Sequence, residues 1–159
     1  MTRDDGGSAA TLAIVMLPLL IAVVAGVVQL GAIRVLAARV ASAADLATLA
    51  AVDDQDDAEL LRSGTLRLPA DAAATARRFF ALNLEQIAAH LDLAPSLIAE
   101  RADVASFPTA PAFDPATATV YDRPTVRLAA AVPVRTPAFG VLLLPAVTTV
   151  SVRSVSSPR

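Results

Sequence analysis

The chain has 159 residues, 55% of them apolar, with thirteen basic residues (all Arg) against fifteen acidic ones, one His and no Cys. That length allows one domain of ordinary size plus an appendage, and a net charge of -2 without Lys leaves no polybasic patch for nucleic acid or anionic lipid. Lack of Cys excludes disulfides and thiolate metal sites.

The chain opens on an apolar run with no charge between Gly6 and Ile33. Ser8–Ile33 is 26 uncharged residues, a helix of about 39 Å at ~1.5 Å per residue, against a hydrocarbon core of ~30 Å. A secretory signal would need a shorter run, a basic start and a small-x-small cleavage site, whereas "MTRDD" holds one Arg and two Asp. A helix apolar all round inside a soluble core would need more surrounding protein than this chain has. The segment reads as a membrane anchor. Pro18 lacks an amide hydrogen and marks a kink. Ala22 and Gly26 form a small-xxx-small pair that admits another helix.

Helix formers continue past Ile33 without Gly or Pro up to Val52. Leu36, Val40, Ala43, Ala44 and Ala47 recur at three- and four-residue spacing, with Arg34, Arg39, Ser42 and Asp45 for the wetter side. One long helix over 8–52 is expected, half in lipid and half projecting. The acidic linker "DDQDD", 53–57, ends it, because carboxylates at a helix carboxyl end oppose the macrodipole.

Residues 58–159 read as a small α+β domain. Phe80, Leu84, Ile87 and Leu91 fall at i, i+4, i+7 and i+11, predicting an amphipathic helix from 71 to 91. From Pro95 onward most of the 11 Pro occur, and Thr and Val replace the helical repeats. Val126, Leu128, Ala130, Val132 and Val134 alternate with Thr125, Arg127, Ala129, Ala131 and Pro133, a half-buried strand that Pro133 places at an edge or bulge. Further strands are expected at 148–155, 117–122 and, less regularly, 96–104. The expected fold is one helix packed on an antiparallel sheet of three or four strands. Between two Pro, the connection 136–146 carries Phe139, Val141, Leu142, Leu143 and Leu144, an apolar cluster that either tucks into the core or docks on a membrane or a neighbouring subunit.

The opening "GGSAATLAIVMLPLL" and the continuation "AARVASAADLATLAAV" resemble TadE/TadG-like proteins of Flp (tight adherence) pilus systems, in which a Gly, small residues, an apolar stretch and a Pro come in that order. The resemblance covers residues 6–52, and the late strand, Phe and Leu-rich connection, strand pattern is also similar. It implies a pilin-like fold, a structural role in pilus assembly, and prepilin-peptidase processing between Gly7 and Ser8. In TadE-type and major pilins a Glu stands five residues after the processed Gly; counting from Gly7, this chain has Leu12. The sequence is thus more similar to the TadG-type branch, and residues 1–7 are expected to stay on the chain.

Catalytic chemistry has no foothold in these residues. His90 has no metal-ligating companion, the acidic run lacks the Gly and closing Glu of a calcium loop, and no GxSxG, P-loop or GxGxxG motif occurs. No enzyme activity, cofactor, metal or small-molecule substrate is expected. The partners expected are membrane lipid and other pilin-like or membrane subunits, engaged through the amino-terminal helix. The alternatives are a single-pass accessory subunit of a larger membrane complex and a ligand-binding ectodomain on a passive anchor. Arg34 and Arg39 after the span against Arg3 before it favour a cytoplasmic carboxyl domain on charge count. The resemblance implies the reverse, a single-pass protein of the bacterial inner membrane with its domain outside or carried into an extracellular pilus, and that orientation is adopted.

Overall fold

The computed structural model describes residues 6–53, 57–137, 139 and 145–158. One helix, α1 (Gly6–Asp53), takes up the opening. After it come α2 (Asp57–Ser63), α3 (Ala72–Glu85), a 3-10 turn (Ala88–His90) and α4 (Pro95–Arg101). Five strands follow: β1 (Asp103–Phe107), β2 (Ala112–Asp114), β3 (Thr119–Tyr121), β4 (Thr125–Arg135) and β5 (Val147–Ser156). The fold is α+β, with a three-stranded antiparallel sheet in the order β1-β4-β5 and a separate antiparallel hairpin of β2 and β3.

The upper half of α1 belongs to the domain core. Leu36, Val40, Ala43, Ala44, Ala47, Ala51 and Val52 are buried in one cluster with Phe80 and Leu84 of α3 and with Val126, Leu128, Val132 and Val134 of β4. Their three- and four-residue spacing puts them on one stripe, and the four alanines let α3 and the sheet come close before Phe80 and Leu128 fill the remaining space. The hydrophobic core therefore runs across both sides of the 53–57 segment.

The amphipathic helix expected over 71–91 forms as α3 and stops at Glu85, six residues short. Ile87, just before the 3-10 turn, and Leu91, just after it and bridged to Val134, still bury their side chains, so the inward residues match the periodicity although the helix does not continue. Residues 96–104 differ more. Pro95 sits in the first turn of α4, where its missing N–H costs nothing and its fixed φ starts a helix. Ile98 and Ala99 then face the core, and the strand begins only at Asp103. The 117–122 strand forms, as Thr119–Tyr121, but pairs with β2 outside the main sheet.

β4 is the central strand, not an edge. Pro133 fits because β1 pairs only with Thr125–Ala129. At Pro133 the side facing away from β5 is met by the backbone of Asp92, whose N–H donates to the Pro133 carbonyl at 3.0 Å. The N–H and C=O of one residue point to the same side of a strand, so the missing donor leaves the β5 ladder intact. α2 ends at Gly64, φ +67°, whose N–H donates to the Leu60 carbonyl at 2.9 Å, a left-handed cap that favours glycine.

Candidate functional site: the anchoring and packing helix

Among the described residues α1 is the one helix long and apolar enough to cross a membrane. Leu12, Ile14, Val15, Met16, Leu17, Leu19, Leu20, Ile21, Val23 and Val24 are all exposed, a surface that water would penalise and lipid would not. Pro18 lies inside the helix, which runs on from Gly6 to Asp53. A side chain built at Gly26 or Gly31 would meet nothing within 4 Å. Ala22 and Gly26 are half-buried and continue the core stripe downward, and Gln29, 7% exposed, lies on the same stripe. Exposed Arg34 follows the last residue of the uncharged run.

Above Arg34 the helix has two faces. One is the core stripe. The opposite face leaves Val35, Ala38, Arg39, Ser42, Asp45, Leu46 and Leu49 exposed, with Leu46 at 56% and Leu49 at 53%. On the Arg39 flank a groove of about 580 Å³ opens between α1 and α3, walled by Val35, Arg39 and Leu46 on one side and by Asn83, Gln86 and Ile87 on the other. Among the described residues Arg34, Arg39, Asp45 and Asp53 form no ion pair within the chain.

Two buried polar clusters hold the domain to this helix and to itself. Thr48 Oγ1, buried on the core face of α1, lies 2.9 Å from Ser154 Oγ and 2.8 Å from Ser156 Oγ, and donates to the Asp45 carbonyl at 3.0 Å. A hydroxyl has one proton and two lone pairs, so it can serve all three contacts, and they tie the carboxyl-terminal strand to α1. The second cluster joins β4 to the hairpin. The Arg127 side chain, 4% exposed, donates from Nη1 to Asp103 Oδ2 at 2.8 Å. Its Nε stands 2.8 Å from Asp114 Oδ2, an ion-pair contact without hydrogen-bond alignment. Asp114, 1% exposed on its side chain, accepts from the Ala116 amide and the Thr117 hydroxyl, each at 2.9 Å. Burial pushes the Asp114 carboxyl up, but those hydrogen bonds, the Arg127 charge and the Tyr121 hydroxyl together hold it below its ordinary value of 3.8. Phe107 of β1 and Tyr121 of β3 meet with ring centroids 5.2 Å apart and planes tilted by 50°, and fasten the hairpin to the sheet.

Gly7 and Ser8 lie in the first turns of α1. Phe139 is half-buried, with its N–H donating to the Thr136 carbonyl at 3.0 Å, while Leu142, Leu143 and Leu144 lie outside the described residues. His90 is exposed in the 3-10 turn, and no three His, Asp or Glu side chains gather as a metal site among the described residues. The Thr48 cluster was not anticipated from the sequence. The signal was present, since Thr48 falls on the Ala-rich face and strand alternation puts Ser154 and Ser156 on one side of β5.

Residues 7–54 match the family model Tad, described as "Putative Flp pilus-assembly TadE/G-like". No curated protein and no solved structure matches the chain. The matched residues coincide almost end to end with α1, so the likeness to TadE/G-like Flp pilus-assembly proteins lies in the helix that both presents the apolar surface and organises the domain core.

Proposed function

We propose that this chain is a pilin-like structural component of a Flp/Tad-type pilus-assembly system. In this reading α1 crosses the bacterial inner membrane once, the α+β domain stands on the outer side, and assembly proceeds by packing of α1 against membrane lipid and other pilin-like subunits. No reaction is assigned to it. With Leu12 in place of the Glu that pairs with a processed amino terminus, residues 1–7 stay attached, and intact-mass measurement of the membrane-extracted chain reads this directly.

The observation that carries the proposal is the build of α1. A single helix exposes an apolar lower half, buries its upper half in the domain, and carries the TadE/G-like match along its whole length. Such a helix transmits position rigidly from bilayer to domain, which suits a subunit that is stacked or pulled as a unit. Deleting the chain in its host should abolish or sharply reduce Flp pili counted by electron microscopy, with restoration by the parent sequence. Ala38→Pro, which breaks the helix just above the membrane at a cost of about 3 kcal/mol or more, should insert normally and fail to restore pili. Normal piliation in the deletion strain would refute the role.

A further inference from the structure

We propose that the exposed face of α1 above the membrane is a copy-to-copy interface in which Arg39 of one chain pairs with Asp45 of the next, the two parallel helices offset by six residues. This rests on the assembly role proposed above and adds the partner and the register. The occupant of the α1–α3 groove is then the Asp45 flank of a second copy.

The charges on α1 select this arrangement. Arg39 lies three residues before Ser42 and Asp45 three residues after it, which at about 100° per residue puts them some 60° to either side of the Ser42 line. Parallel helices bring opposite flanks together, so the Arg39 flank of one copy meets the flank of its neighbour that carries Asp45 and also Arg34. In register, Arg39 falls between them, five residues above Arg34 and six below Asp45, and repulsion offsets attraction. A six-residue rise, about 9 Å, sets Arg39 level with Asp45 and eleven residues, about 16 Å, from Arg34, beyond the ~8 to 10 Å screening length. The same rise lays exposed Leu49 of the lower copy against the groove lined by Ala43, Leu46 and Asn83.

The membrane span permits that offset. Both copies enter the same bilayer in the same direction, which forces the parallel arrangement. The uncharged run Ser8–Ile33 exceeds the ~30 Å hydrocarbon core by about 9 Å, so two neighbours can differ in height by one such step while neither drags Arg34 or Asp5 into hydrocarbon. Exposed Gly31 lies on the same face near the membrane surface and lets the helices close up there. A face-to-face two-fold pair allows no such offset, because an axis along the membrane normal relates points of equal height and leaves both seams in register, with Arg39 midway between Arg34 and Asp45. The contact is heterologous, and the slack holds one such step, a pair of copies at different heights in one bilayer.

The test uses the full-length chain in neutral phosphatidylcholine vesicles, with donor and acceptor dyes on a cysteine introduced at exposed Thr65, the chain having no other. Arg39→Asp and Asp45→Arg should each weaken self-association about fivefold at low salt, since each sets like charges level. Mixed together, the two single variants should associate as well as the parent, because each mixed pair again sets opposite charges level. Each variant must melt like the parent, and both sites are exposed and unpaired within the chain. Single variants that associate like the parent, or a mixture that does not recover, would overturn the register while leaving assembly standing. Stronger association of Arg39→Asp alone would mean the in-register pairing with Arg34. A parent chain that stays monomeric in vesicles would overturn the copy-to-copy interface, and loss of pili in the deletion strain would still support the assembly role with a different partner.

Discussion

Removing the upper half of α1 should unfold the domain, although every strand remains. In a fragment 58–159 the core loses Leu36, Val40 and Val52 together with Ala43, Ala44, Ala47 and Ala51. Burying a Leu or Val side chain contributes about 1.5–3 kcal/mol and an Ala methyl about 0.8 kcal/mol, so the lost burial is about 8–12 kcal/mol, an upper bound because the unfolded chain already hides some surface. Net stability of a domain this size is about 5–15 kcal/mol. The removal would also uncover Phe80, Val132 and Val134, and leave Ser154 without its Thr48 partner. A fragment 34–159 keeps all of these contacts and omits only the apolar span. Circular dichroism melts and hydrogen exchange of the two fragments decide the matter: 34–159 should melt cooperatively and 58–159 should not. A cooperative transition in 58–159 at the temperature of 34–159 would show that the domain builds its core without α1 and would refute the reasoning.

Thr48→Val keeps the volume and removes the hydroxyl shared with Ser154 and Ser156, so it should cost about 1–3 kcal/mol in urea unfolding of 34–159. Ser154→Ala in the same chain should recover much of that loss, because the stranded hydroxyl goes with it. The Asp114 carboxyl is held below 3.8 in the folded chain, and a depressed value contributes stability that is fully present above the unfolded value and is lost as pH falls through the folded one. Melting temperature should therefore drop below about pH 4 more steeply in the parent than in Asp114→Asn, which should be less stable at pH 7; parallel pH profiles would count against the ion-pair assignment. Ala118 has φ +52° in the β2–β3 turn, a left-handed conformation that strains an L side chain, so Ala118→Gly should stabilise by about 0.5–1 kcal/mol. No gain in melting temperature would contradict that.

Much of the architecture is legible from periodicity because burial is periodic. Leu36, Val40 and Ala47 repeat with the helical turn, and Val126, Leu128, Val132 and Val134 with the strand. The span is legible from length alone, since a bilayer of fixed thickness demands a minimum number of uncharged residues. The candidate site is half legible in the same way. Arg39, Asp45 and the small residues beside them stand on the wetter side of α1 by spacing, but no spacing says that α3 would wall one flank into a groove.

The sequence by itself determined the anchor, the continuous helix, the inward residues and the two long strands, because each depends on interactions within a turn or along a strand. Only the tertiary structure decided which elements those faces meet. It made the upper half of α1 a wall of the domain core, placed β4 at the centre of the sheet despite Pro133, and detached β3 into a hairpin held by Arg127 and Asp114. Those outcomes turn on partners far apart in the chain, such as Thr48 and Ser154, 106 residues apart. A local pattern specifies which side of an element is buried, but the residue that covers it is chosen by packing the whole chain at once.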